Sequence, residues 1–284
     1  MNSWIIIVLA LALSGCGGIV RKPEIDSVKK IGFVSIYSNP KLHYFKDNKV
    51  TEVDSPWDAA TSALRMGTGL KAAFDSHSSP LLEYARKSFE SEFSKLSRFQ
   101  VVPFEQFSEK QPYTSFRSNP GKPLAKGSTL SFGSFVSKPS QTWNTAPGMR
   151  AVEGLWAQPV DQSAVAELAS LANQLDLDGV IVARFEIGYR DPMFMSFSLQ
   201  AGGLNASKAE ASVAATLILV TRQKTFGIVF PNFKDGAGSR NVSDKRFQLV
   251  NGTPVPNDEM TAAIQESIGK TIVSLREKIG KELQ

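Results

Sequence analysis

Cysteine and histidine are almost absent. The 284 residues hold one cysteine, Cys16, and two histidines, His43 and His77. A lone thiol excludes an intramolecular disulfide. No Cys/His spacing matches a zinc site, and there is no His-Glu-x-x-His. The nucleophile elbow Gly-x-Ser-x-Gly is missing as well. Two glycine-rich pieces, Met66-Gly67-Thr68-Gly69-Leu70-Lys71 and Asn119-Pro120-Gly121-Lys122-Pro123, approach a phosphate loop without completing it. Pro123 stands where that loop needs a hydroxyl. Asp176-Leu177-Asp178-Gly179 lacks the third ligand and closing Glu of a calcium loop, so it reads as a helix-to-strand turn. No catalytic residue, metal or cofactor is therefore expected. His77, in Asp75-Ser76-His77-Ser78, reads as a surface turn residue; only its meeting Ser and carboxylate groups in space would make it a triad member.

Charge is missing from the side chains before Arg21. What stands there instead is an unbroken apolar run, Trp4 to Leu13. Ten helical residues cover about 15 Å, half of a bilayer core of about 30 Å. That length fits the hydrophobic region of a secretory signal. After it, no apolar run approaches the length of a membrane-spanning helix.

The run closes on Leu13-Ser14-Gly15-Cys16. This resembles the lipobox of bacterial lipoproteins: Leu, a small residue, Gly, then Cys. The resemblance implies that residues 1–15 are a signal peptide cleaved after Gly15. It also implies that the Cys16 thiol takes a diacylglyceryl group and that its new amino terminus is acylated. The family's sorting habit implies an outer-membrane address, because Gly17 rather than Asp follows Cys16. The protein would then be lipid-anchored and face the periplasm. Several acyl chains on one residue anchor a domain far more firmly than one, at about 0.8 kcal/mol per buried methylene.

Hydrophobic residues make up 42% of the chain and aromatics 10%, enough for a packed core. The net charge of +5 is concentrated. Between residues 109 and 150, Lys110, Arg117, Lys122, Lys126, Lys138 and Arg150 face Glu109 alone. The surrounding stretch, 107–150, is rich in Ser, Thr, Gly and Pro and carries scattered Phe116, Phe132, Phe135 and Trp143. It reads as a partly ordered insertion lying over the domain. Its cations fit either a solvated loop or a surface for an anionic partner such as lipid, cell-wall polymer or an envelope protein. Nucleic acid is not expected for an exported chain.

Hydrophobic periodicity sets out the rest. Residues 16–28 read as a tether with Gly17, Gly18 and Pro23, and 29–284 as one domain. Ile31–Tyr37 is a first strand. A helix is expected over Pro56–Phe74, and Pro80 opens a second with Leu82, Ala85, Phe89, Phe93 and Leu96 at helical spacing. Phe99–Val102 is a short strand. Asp161 caps a helix carrying Val165, Leu168, Leu171, Ala172 and Leu175, which leads into a buried strand over Val180–Ile187. Met195–Leu199, Ala211–Val220 and Phe226–Val229 continue as an antiparallel meander. Asn257 caps a last helix with Met260, Ile264, Ile268, Ile272, Leu275 and Ile279 on one face. The pattern predicts an α/β (α+β) fold, a mixed sheet with helices packed on it. Met193, Phe194, Met195 and Phe197 read either as sheet core or as an adhesive tip.

Over residues 30–105 and 160–284 this element order resembles a group of envelope proteins. The group comprises the amino-terminal domain of TolB, the curli-secretion lipoprotein and lipoprotein activators of peptidoglycan synthases. The leading expectation is a non-enzymatic lipoprotein that binds an envelope partner in assembly or maintenance. The alternatives are an oligomeric secretion channel of the curli type, which needs an amphipathic hairpin joining a barrel, and an uncharacterised hydrolase.

Overall fold

A computed structural model describes residues 18–38, 43–46, 49–51, 66–119, 143–156, 160–190, 209–234, 240–242, 247–250, 253–256 and 258–284. Its centre is the strand pair that the apolar run after Asp178 dictates. β7 (Gly179–Arg190) lies antiparallel to β8 (Ala209–Thr221), in register from Gly179↔Thr221 to Arg190↔Glu210. Val180 to Ile187 are all buried, as a strand covered on both faces requires. On one side of β7 runs β2 (Lys30–Ser38), parallel to it, from Ile31↔Gly179 to Ser38↔Phe185. On the far side of β8 runs β9 (Phe226–Lys234), antiparallel. Short strands complete the sheet. β1 (Ile19–Val20) covers part of β9, and β5 (Gln100–Val101) adds to β2 in parallel. β3 (His43–Lys46) and β10 (Arg240–Val242) extend the flanks of the β7–β8 pair, with β4 (Lys49–Thr51) on β3 and β6 (Asn144–Thr145) on β2. β11 (Phe247–Val250) and β12 (Thr253–Pro256) form a separate hairpin.

This is a mixed sheet with helices packed on it in a single α/β domain, as the sequence pattern predicts. The long helices are α2 (Met66–Phe93) and α5 (Asp258–Leu283), and α4 (Gln162–Gln174) packs on β7 and β8. Each apolar stripe named above is the buried face of its helix: Leu82, Ala85, Phe89 and Phe93; Val165, Leu168, Leu171 and Ala172; Ile264, Ile268, Ile272, Leu275 and Ile279. Phe33, Phe89 and Phe93 form the aromatic centre, with ring centroids 5.1 to 5.7 Å apart. Asp161 caps α4 by accepting a hydrogen bond from the Ser163 amide at 2.8 Å. Asp176 adopts the left-handed conformation that turns α4 into β7, and Asp178 accepts from the Lys29 and Lys30 amides at 3.0 and 2.9 Å. Asn257, Pro56–Arg65 and Met195–Leu199 lie outside the described residues.

Three expectations need correction. Pro80 does not open a helix; it lies inside α2, which begins at Met66. The cost of an interior proline, about 3 kcal/mol, is offset by the buried apolar face that follows it. Pro80→Ala restores an amide donor, so it is expected to raise the thermal unfolding midpoint, measured by circular dichroism. An unchanged or lowered midpoint would place the helix start at residue 80. Second, the stretch read as a tether is part of the fold from Ile19 onward. After β1 comes α1 (Lys22–Asp26), and Ile25 and Val28 are fully buried. Third, both ends of the 107–150 stretch belong to the domain. A 3-10 turn (Phe104–Gln106) leads to α3 (Gln111–Ser118), and Phe107, Tyr113, Phe116, Ala146 and Met149 join the core. Tyr113 donates to the carbonyl of Val34 on β2 at 2.9 Å. Only residues 120–142 of that stretch lie outside the described part.

Candidate partner-binding surface

The six cations singled out by charge do not form one set. Lys110 and Arg117 are exposed at the two ends of α3. Lys122, Lys126 and Lys138, like the lipobox residue Cys16, lie outside the described residues. Arg150 has a different role: its side chain is 10% exposed and its guanidinium is engaged within the fold. It donates to the Phe116 carbonyl at 2.7 Å and to that of Asn119, pairs with Glu167 on α4, and lies 3.9 Å over the Phe116 ring. Arg150 therefore ties α3 to α4, and it is not an available partner-binding cation. Charge counting could not separate it from its neighbours. The one visible difference was its place next to the apolar Met149-Arg150-Ala151-Val152 run.

A second polar group, unforeseen from the sequence, sits near the carboxyl ends of β2 and β7. Tyr37 is fully buried; its hydroxyl donates to the Val152 carbonyl at 2.7 Å and accepts from the Trp156 indole at 2.6 Å. Trp143 packs edge-on against the Tyr37 ring at 5.1 Å and its indole donates to Glu153. Arg184 pairs with Glu186 at 3.3 Å, both nearly inaccessible, and the Arg184 guanidinium lies 5.2 Å from the Trp156 ring. The signal for this cluster was two opposite charges at i and i+2 in the strand Val180–Ile187. An interior strand admits such a pair only if it is matched.

In open sheets with parallel strands, ligands gather beyond the carboxyl ends. Here segment 143–156 is laced across that end. Burial pushes the Tyr37 phenol well above its ordinary pKa, with Arg184 opposing, so the group stays neutral and acts as a hydrogen-bond donor. The arrangement fastens a loop and supplies no nucleophile. Tyr37→Phe would strand the Val152 carbonyl and the Trp156 indole, with an expected loss of about 1–3 kcal/mol in a urea titration. A loss below a few tenths would mean that water satisfies both groups.

Several described cations outside this cluster are paired. Lys30 holds Asp176 at 2.8 Å, which keeps that carboxyl below the usual carboxylate range, and Arg98 holds Asp26 at 2.8 Å. Among the described residues no three His, Cys, Asp or Glu side chains converge as a metal-ligand set would. No described helix is long and apolar enough to cross a membrane. The fold is that of a single-domain mixed α/β protein, and in the chain the basic residues 120–142 stand between α3 and segment 143–156. No family model, curated protein or solved structure matches the chain.

Proposed function

We propose that the chain is a non-enzymatic envelope lipoprotein, anchored through Cys16 in the outer membrane and facing the periplasm. The observation that carries this reading is the segment Leu13-Ser14-Gly15-Cys16 directly after ten apolar residues. In support, the first described strand, Ile19–Val20, begins three residues after Cys16 in the chain, so a lipid on Cys16 would hold the domain close to a membrane. The proposed partner-binding element is the basic segment 120–142, with Lys122, Lys126 and Lys138, flanked by exposed Lys110 and Arg117. Its partner would be an envelope protein or an anionic cell-wall polymer.

Anchoring is tested by growing cells with radiolabelled palmitate and fractionating them. The wild type is expected to take the label and sediment with outer membranes, and Cys16→Ala to do neither. Membrane retention of unlabelled Cys16→Ala would overturn the reading. Partner capture is tested by deleting residues 120–142 alone, because a deletion from 109 to 150 would remove Tyr113, Phe116, Ala146 and Met149 from the core. The shorter deletion is expected to keep the cooperative unfolding transition and to lose partners crosslinked in intact cells. Unchanged crosslinking would remove the segment from the proposal.

A further inference from the structure

The chain leaves the described fold with almost no slack. β1 lies on the outer edge of β9, with Ile19↔Val229 and Val20↔Ile228 in register, and the Arg21 amide donates to the Gly227 carbonyl at 2.9 Å. The Val20 amide donates to Glu282 at the end of α5, at 3.1 Å. Gly18 is already pressed against the sheet: a Cβ there would stand 1.9 Å from the ring of Phe230, which is fully buried. Only Gly17 separates Gly18 from Cys16. Two peptide steps reach at most about 7 Å. An acyl group on Cys16 would thus start within that distance of a fixed point on the domain.

The surface around that point suits phospholipid headgroups. Ile19, Val229 and Phe233 are half-buried apolar groups at the edge, and Pro231 is exposed. Lys278 holds its ammonium 5.5 Å from the Phe230 ring and 5.7 Å from the Phe233 ring. Lys281, one turn on, is exposed, while the nearby Glu282 is engaged by the Val20 amide. Apolar edge groups with lysines above them match the boundary between acyl chains and an anionic headgroup layer.

We propose that the β1–β9 edge, with the last turn of α5, is a membrane-contact face that lies flat on an anionic phospholipid surface. This rests on the lipid-anchor reading and adds an orientation to it: the α3 end of the molecule, packed over β2 three strands away, points away from the bilayer. Three sheet spacings separate β9 from β2, roughly 15 Å.

Acylated Cys16 has no free thiol, so an introduced cysteine is the single labelling site of the mature protein. Pro231→Cys, Lys281→Cys and Ser118→Cys replace exposed residues, the last on α3. The full-length lipidated proteins, labelled with a fluorophore, are reconstituted into vesicles of phosphatidylethanolamine and phosphatidylglycerol containing headgroup-nitroxide lipid. Strong loss of fluorescence at 231 and 281, with none at 118, is the expected result. Equal quenching at all three, or quenching at 118 alone, would overturn the contact face. Mass spectrometry of the amino-terminal peptide from the same samples separates the two ideas. An unacylated Cys16 sinks the anchor reading; an acylated Cys16 without the fluorescence contrast sinks the orientation alone.

Discussion

Replacing Arg86 with Ala is expected to cost about 3 kcal/mol, the low end for breaking a buried ion pair from one side, because Glu105 is largely exposed to water. Arg86 is 3% exposed and holds three carboxylates: Glu83 at 2.7 Å, Glu90 at 3.1 Å and Glu105 at 2.7 Å. Glu105 belongs to the 3-10 turn, and Glu90 also accepts the Phe104 amide at 2.9 Å. One guanidinium therefore binds α2 to the 3-10 turn that precedes α3, and its removal leaves three anions together. The effect has a pH signature. Arg86 hydrogen bonds hold the Glu83 carboxyl below its usual range; a backbone hydrogen bond and then Arg86 do the same for Glu105. Groups with depressed folded pKa values contribute stability that is full above their unfolded pKa, near 4.5, and is lost as pH falls through the lower folded value. Burial raises the Glu90 carboxyl instead, against Arg86, so it protonates first on acidification. The gap between wild type and Arg86→Ala should therefore be widest near pH 7 and narrow below about pH 4.5. Urea titrations at pH 7 and pH 4 measure it; a gap that does not change with pH would show that lost packing, not charge, dominates.

Arg150→Ala is the second large effect, about 3 kcal/mol, because Glu167 and two carbonyls at the end of α3 lose their shared donor. For a domain of this size that is a fall of roughly 6–12 °C in the unfolding midpoint. Arg150→Lys keeps the charge but not the fork or the stacking on Phe116, so it should recover only part of the loss. Full recovery by Lys would mean that charge alone matters. If Arg150 served a partner instead, Ala would weaken capture and leave the midpoint unchanged.

The helices α4 and α5 were legible because each repeats its apolar residues at helical spacing, and β2, β7, β8 and β9 because each contains an apolar strand-forming run bounded by polar or turn residues. What escaped reading did so for local reasons. Ile19, Val20, Ile25 and Val28 sit among Gly17, Gly18 and Pro23, so local composition says linker, while the strand partners of Ile19 and Val20 lie on β9 about 200 residues away. Pro80 carries a strong boundary signal that tertiary burial overrides. Arg150 and the Arg184–Glu186 pair carry the marks of surface residues, and only the neighbours that folding supplies make them interior ones. Lys110 and Arg117, singled out by charge counting, are exposed at the ends of α3. The wider segment boundaries did not follow from charge counting, because Phe107, Tyr113 and Phe116 look scattered until Tyr113 reaches Val34.

The parallel pairing of β2 with β7 has a consequence for the order of synthesis. Ile31 meets Gly179 only after the chain between them has been made. Until then, among the described residues, β2 can pair only with the two residues of β5 and the two of β6. Ile31, Phe33 and Ile36 thus lack their long strand partner through more than half of translation, although Phe33 can already meet Phe89 and Phe93, and closing so long a loop is slow. A chain still growing toward β7 is a ready client for whatever keeps polypeptides unfolded.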